Sequence, residues 1–125
     1  MSSFPCPCCG FRVHKNPPGS HEVCPVCFWE DDAVQLRWPA LSGGVNNNSL
    51  YDAQCKYVEI GASDYPFFGR VRNNLPHERK EPGWRLIDFS VDNFEELNHG
   101  GEWPVDKSDL YWWRDSFWRS YWGHV

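Results

Sequence analysis

The residues of this sequence that most plainly carry chemistry are cysteines close to its N-terminus. Five of the six cysteines lie within the first 27 residues, and four of them form two Cys-x-x-Cys pairs. Tight turns of this kind present both thiols to one side, and four thiolates at about 2.3 Å complete the tetrahedral shell of Zn²⁺. We therefore predict one structural zinc ion per chain, bound by Cys6, Cys9, Cys24 and Cys27.

The residues around each pair suit a turn that binds metal. Pro7 and Pro25 each follow the first cysteine of a pair and fix one φ angle, so that the next backbone N–H groups can turn toward sulfur. Gly10 directly follows the first pair and suits a left-handed conformation there. Phe28 occupies the equivalent place in the second pair, so we expect that exit to be strained or built differently.

Two other uses of the four thiols have to be weighed. A rubredoxin-type site holds iron with the same geometry, but zinc is the commoner occupant. Two disulfides would require an oxidising compartment. Because residues 1–6 contain neither a basic segment nor an apolar stretch typical of export signals, we expect a cytoplasmic protein with a metal site. No apolar run approaches the length that spans a bilayer, so no membrane role is predicted.

The other candidate ligands are given structural roles. Cys8 could replace Cys6, but adjacent residues rarely direct both side chains to one ion, so we expect its thiol to pack inside the lobe. Cys55 is predicted to be a small packed side chain of a helix. His21 precedes Cys24 by three residues and is expected to lie at the surface.

The elements that position the cysteines can be predicted from local signals. Residues 4–32 are rich in proline and glycine and predict a zinc-knuckle lobe of short strands and turns. Ser49 and Asp52 resemble the start of a helix over residues 49–61, with Gly61 as its C-cap. Its predicted buried face consists of Leu50, Ala53, Tyr57 and Ile60.

The C-terminal part, residues 84–125, is rich in tryptophan. It is predicted to contain a strand at Trp84–Phe89 and a helix capped by Ser108 that runs to about Trp122. The whole chain contains eight Trp, eight Phe and five Tyr, which predicts an aromatic-rich core. The fold class expected is a single α+β domain, residues 1–125, with a zinc-ribbon or rubredoxin-like knuckle lobe followed by helices and a short sheet.

Two groups of residues could contact a partner protein. On the predicted last helix, aromatic residues cover about half the circumference, more than one packing contact needs. The acidic residues after the second cysteine pair could receive a basic partner, although capping a short helix is the favoured interpretation. The candidate partner-binding residues are Tyr111, Trp112, Arg114, Trp118, Trp122, Glu30, Asp31 and Asp32.

Charge and motifs narrow the classes of function. The formal net charge of −5 disfavours a zinc-ribbon protein that binds nucleic acid, because phosphate binding requires a clustered positive surface. A hydrolase is a further alternative, but a closed four-cysteine site has no vacancy for water, and no catalytic residue is assigned. The preferred hypothesis is a zinc-stabilised protein-binding module, such as an immunity-type protein that neutralises a basic toxin domain. The oligomeric state is not predicted.

Several longer motifs carry a resemblance to a known family. The stretches Phe4–Gly10, Pro17–Ser20 and Glu22–Asp32, with matches continuing to Val71 and Arg72, are similar to the bacterial cysteine-rich CPCC family. His21 departs from the aromatic residue expected at that place. The resemblance implies a small intracellular bacterial protein with a bound metal and no established reaction. The C-terminal third lies outside it.

Overall fold

The described part of the chain folds from two short strands, two α-helices and two 3₁₀ helices. The computed structural model describes residues 3–96 and 101–118. The elements are, in order, β1 (Phe4–Pro5), β2 (Arg12–His14), α1 (Ala33–Arg37), α2 (Leu50–Ile60) and 3₁₀ helices at Tyr65–Arg70 and Lys107–Leu110. The predicted α+β class is confirmed in this coarse form.

The sheet consists of β1 and β2 and lies beside the first cysteine pair. The two strands pair antiparallel, with Phe4 opposite His14 and Pro5 opposite Arg12. The hairpin between them contains the Cys6–Gly10 turn. Strands β1 and β2 are the short strands predicted for the lobe of residues 4–32, whereas the described residues contain no sheet after the helices.

Helix α1 begins where the acidic run ends. Asp32 is its N-cap, and its carboxylate accepts a hydrogen bond from the Gln35 backbone N–H at 3.1 Å. This satisfies one of the unpaired donors of the first helical turn. The helix ends at Arg37, and Pro39 follows shortly afterwards. The capping role preferred for this run is confirmed at Asp32.

Helix α2 has both of its predicted caps. The Ser49 hydroxyl accepts from the Asp52 N–H at 3.1 Å, and Gly61 adopts the left-handed conformation with φ of 79°. On the predicted buried face, Leu50 and Ala53 are fully buried, whereas Tyr57 and Ile60 are partly exposed. Gln54, which the apolar pattern did not select, is buried beside them.

The predicted strand at Trp84–Phe89 is wrong. The described residues contain no strand there. Backbone N–H groups of this segment donate to side-chain oxygens and not to the carbonyls of a neighbouring strand. The Ile87 N–H donates to the Gln54 side-chain oxygen at 2.9 Å, and the Asp88 N–H donates to Asp92 at 2.7 Å. The segment is thus fixed by polar side chains and not by a sheet.

The predicted helix from Ser108 to Trp122 is also wrong over the described residues. Ser108 is not its cap, since its N–H and hydroxyl both bond to Asp106, which caps the 3₁₀ helix Lys107–Leu110. Residues 111–118 continue as turns, in which the Phe117 N–H bonds to the Arg114 carbonyl. The rest of the predicted helix, including Trp122, lies outside the described residues.

The core joins the cysteines to aromatic residues from distant parts of the chain. Trp29 and Tyr111 are each only 1% exposed and belong to the same cluster as the cysteines of both pairs. Arg37 is buried among the rings of three tryptophans, Trp38, Trp103 and Trp118, and forms an ion pair with Glu95. The predicted aromatic-rich core is confirmed. Of the helices in the described ranges, none is both long and apolar enough to cross a bilayer.

Candidate metal centre

The four predicted cysteine ligands meet at one point. All four are fully buried, and their sulfurs lie within 4.8 Å of one another. The Sγ atoms of Cys6 and Cys27 are 3.6 Å apart, and those of Cys9 and Cys24 are 3.7 Å apart. A tetrahedral ion with bonds of about 2.3 Å requires sulfurs about 3.8 Å apart, so this cluster fits a metal ion.

The two cysteine turns share one backbone design. In the first turn the Gly10 N–H donates to the Cys6 carbonyl at 2.7 Å, and in the second the Phe28 N–H donates to the Cys24 carbonyl at 2.8 Å. Both closing residues have positive φ, 84° and 69°. Phe28 therefore carries the expected strain, of order 1–3 kcal/mol for a residue other than glycine. The Phe28 ring packs against the Phe67 ring with their centroids 4.7 Å apart, and this contact offsets part of the strain.

The first turn requires glycine for a second reason. A Cβ atom at Gly10 would lie 2.5 Å from Cδ2 of Trp84, inside van der Waals contact. The indole of Trp84 is held over the turn because its Nε1–H donates to the Pro7 carbonyl at 3.1 Å. Trp84 thus covers the first cysteine pair from a position far along the chain.

Other residues hold the two turns in place, and sequence reasoning missed them. The Gln54 side-chain amide also donates to the Pro7 carbonyl, at 3.0 Å, and the Tyr111 hydroxyl donates to the Pro5 carbonyl at 3.1 Å. At the second turn, the Ser63 N–H donates to the Cys27 carbonyl at 2.8 Å. Ser49 and Gly61 predicted the helix that carries Gln54, but no local signal indicated these contacts.

The electrostatics of the cluster favour a positive ion. Burial raises the pKa of Cys6 and of Cys27 well above the usual range of a thiol. Burial would do the same at Cys24, but hydrogen bonds from the neighbouring thiols outweigh it and lower the pKa of Cys24 well below that range. The Val26 N–H also donates to the Cys24 sulfur at 3.3 Å. A bound cation would compensate the charge of the thiolates and displace their remaining protons.

The remaining candidate ligands lie outside this cluster of four. Cys8 is fully buried, and burial raises the pKa of its thiol, consistent with the packing role predicted for it. Cys55 is exposed, so the prediction that it packs inside is wrong. It lies on the outer side of α2, one position beyond the buried Gln54. His21 is at the surface as predicted, 3.3 Å from the Glu30 carboxylate.

The acidic run does not form an acidic surface. Asp31 is 1% exposed, and its carboxylate accepts from the Ser20 hydroxyl at 2.7 Å. Burial raises the pKa of Asp31, partly opposed by the charge of His14. Asp32 is 6% exposed and caps α1. Of the three acids proposed for partner contact, only Glu30 is partly exposed.

The aromatic residues proposed for partner contact are mostly interior. Tyr111 and Trp112 are 1% and 4% exposed, so neither offers a free face. Arg114 lies 4.7 Å above the Tyr111 ring and pairs with Glu81, and Trp118 is partly exposed next to Arg37. Residues 111–118 form turns and not a helix, so the described part of the chain has no aromatic helical face of the kind predicted.

Comparison with known proteins identifies the family. The sequence profile of a family described as Cysteine-rich CPCC matches residues 4–78, more than half of the chain. The chain belongs to the cysteine-rich CPCC family. In this CPCC protein the match contains all four clustered cysteines and α2, whereas Trp84 and Tyr111, which cover the first turn, lie beyond it. A search of curated proteins found no match.

Proposed function

We propose that Cys6, Cys9, Cys24 and Cys27 bind one Zn²⁺ ion as a structural site, in a lobe of zinc-ribbon type. The proposal rests on the complete burial of all four sulfurs at separations that suit a tetrahedral ion. A catalytic zinc site keeps one position for water or substrate, and four thiolates leave none. A site of four zinc-bound thiolates, together with the exposed thiol of Cys55, suits a reducing compartment such as the cytoplasm.

The zinc proposal is tested by metal content. The purified protein is expected to contain one zinc per chain by elemental analysis, and serine at any of the four positions is expected to release it. Cys8→Ser and Cys55→Ser are the matched controls and should retain zinc. Iron at the site would overturn the choice of metal, and a metal-free protein whose thiols are all reduced would overturn the site itself.

We also propose that the zinc-stabilised domain binds another protein. Two observations support this: a formal charge of −5, and large apolar side chains left in water beside α2, such as Val58 at 68% exposure and Phe89 at 46%. The charge suits a basic partner, and an immunity-type protein acting on a basic toxin domain is one such case. It disfavours nucleic acid, whose phosphates would be repelled.

The test of protein binding is cross-linking in the source cells, followed by reconstitution of the complex from purified components. The affinity for the recovered partner is expected to fall as salt is raised, because charge complementarity is screened. An affinity that does not change with salt would contradict a basic partner. Salt-sensitive binding of DNA or RNA by the purified domain would instead favour the nucleic-acid alternative.

A further inference from the structure

An open groove runs between the outer side of α2 and the segment of residues 85–91. We call it the α2 groove. Both parts of the groove are wide open to solvent, with volumes of ≈ 730 Å³ and ≈ 290 Å³, and they share Tyr51, Leu86 and Ile87. Its walls include Tyr51, Cys55, Val58, Leu86, Phe89 and Val91.

The walls of the α2 groove include four apolar side chains that are largely exposed to water. Val58 is 68% exposed, Val91 65%, Phe89 46% and Leu86 44%. Each of these side chains costs free energy in proportion to its exposed apolar area. The rings of Phe89 and Tyr51 pack together with their centroids 4.9 Å apart and form the aromatic floor of the groove, next to the exposed side chains. Apolar side chains gathered around one groove suit contact with an apolar group of another molecule.

The groove is already formed in the free protein. The Ile87 N–H bonds to Gln54, a residue only 1% exposed, which fixes the segment against α2. Arg85 and Asp92 close the segment with two hydrogen bonds, at 2.9 and 2.5 Å. Little conformational entropy would be lost when a ligand enters a groove fixed in this way.

The charges beside the groove are mainly negative. Asp52 and Asp88 are exposed, and Asp92 engages Arg85, the basic residue in the groove wall. Hydrogen bonds from Ser90 lower the pKa of Asp88, so its carboxylate is ionised at neutral pH. Because the Asp92 side chain is 5% exposed and paired with Arg85, the acidic rim consists of Asp52 and Asp88, whose charges both act on Tyr51 in the groove wall.

We infer that the α2 groove binds a basic amphipathic peptide segment of another protein. Large apolar side chains of the segment pack on Tyr51, Leu86 and Phe89, and its lysine or arginine side chains lie near Asp52 and Asp88. This inference rests on the proposed protein-binding role and gives it a surface and a ligand chemistry. A segment of this kind satisfies both the apolar floor and the acidic rim, whereas an acidic segment would be repelled.

The test uses the full-length zinc-loaded protein and a synthetic peptide of leucine and lysine, about four helical turns long, with leucine along one face. A peptide of the same pattern with glutamate in place of lysine is the control. Calorimetric titration is expected to show binding of the lysine peptide only. Bound peptide should also slow the alkylation of Cys55 by iodoacetamide, because this thiol lies in the groove wall.

Two pairs of variants locate the binding. Phe89→Ser is expected to weaken the affinity for the lysine peptide by about tenfold or more, as for a central contact residue. Phe68→Ser should change this affinity by less than about twofold. Phe68 is a matched control because it is 65% exposed on the 3₁₀ helix Tyr65–Arg70, away from the groove. Asp52→Asn should weaken binding more than Asp115→Asn, another exposed acid.

Each contrary result overturns a definite part of the inference. Equal effects of the two phenylalanine variants, or an unchanged alkylation rate of Cys55, would place the peptide elsewhere. Equal effects of the two aspartate variants would show that the lysine peptide is attracted by the net charge of the protein and not by the acidic rim of the groove. Absence of peptide binding would overturn the inference as a whole. If the partner from the cross-linking experiment binds the Phe89→Ser variant normally, the groove is wrong while the protein-binding role stands.

Discussion

At the residue scale, the two cysteine turns differ in how each tolerates a positive φ angle. Gly10 does so without strain and gives up a side chain so that Trp84 can lie against the backbone. Phe28 accepts the strain and uses its ring to pack on Phe67. The first turn therefore allows Trp84 to pack closely against its backbone, and the second turn holds the 3₁₀ helix Tyr65–Arg70 through the Phe28 ring.

Gly10→Ala tests the close approach of Trp84. The substitution adds both the cost of a positive φ and the clash with the indole, so we expect unfolding free energy to fall by about 2–4 kcal/mol. The measurement is denaturant unfolding at saturating zinc. Gly61→Ala is the control, because Gly61 has φ of 79° with nothing within 4 Å of an added Cβ. Equal losses for the two variants would show that the Trp84 contact contributes nothing.

At the scale of elements, the structure shows which signals are local. The Cys-x-x-Cys spacing predicted each pair of candidate metal ligands, and Ser49 with Gly61 predicted the ends of α2, because each of these signals acts within a few residues. The prediction of a last helix was wrong because long-range packing, and not a local signal, decides that segment. Tyr111 and Trp112 are adjacent and both buried, so the core takes side chains from more than one side of the segment, which overrides helical periodicity.

The cover of the metal centre could not be predicted for a related reason. The Pro7 carbonyl accepts bonds from side chains 47 and 77 positions away, and the Pro5 carbonyl from one 106 positions away. No pattern in a short window encodes such pairs. They depend on how α2 and the C-terminal part pack together, which only the folded chain reveals.

Gln54→Leu tests the link between α2, the first cysteine turn and residues 85–91. Leucine keeps the bulk but leaves the buried Ile87 N–H without its acceptor, which should cost about 2–3 kcal/mol of stability. Hydrogen exchange should accelerate most at the Ile87 amide, while zinc content stays at one per chain. Glu59→Leu, an exposed change on the same helix, serves as the control. Unchanged protection at Ile87 would contradict the link.

At the scale of the whole molecule, Glu81 joins three distant parts of the chain. It is 5% exposed and accepts hydrogen bonds from Arg12 of β2 at 2.9 Å, from Trp113, and from Arg114 at 2.7 and 2.9 Å. Burial alone would raise the pKa of Glu81, but the bonds from Arg114 and Trp113 and the nearby positive charges outweigh it and lower the pKa.

This lowered pKa predicts how stability changes with pH. A carboxyl whose folded pKa is depressed stabilises the fold above its unfolded pKa of about 4.3 and loses that contribution as pH falls through the folded value. Glu81→Gln is expected to cost about 1–2 kcal/mol at pH 7, reduced by the partial exposure of both arginines. The difference from wild type should shrink between about pH 5 and pH 3.

Urea unfolding across this pH range measures the Glu81 effect. Comparing the variant with wild type at each pH cancels the release of the proposed zinc ion, which acid would cause equally in both proteins. Glu59→Gln removes an exposed carboxylate that is paired with Lys56 and whose pKa is also lowered, so it should change the pH profile in the same direction but much less, because solvent screens this pair. A difference between Glu81→Gln and wild type that grows on acidification would contradict the predicted direction.

Trp84 and Tyr111, which pack over the first cysteine turn, are synthesised long after the cysteines. All four clustered cysteines precede residue 28, whereas Trp84 and Tyr111 come much later. At about 5–20 residues per second, several seconds pass on the ribosome before these side chains emerge. During that interval the thiols are open to metal and to oxidants. If the proposed zinc site is correct, the nascent chain should therefore acquire its ion before Trp84 and Tyr111 pack over the first cysteine turn.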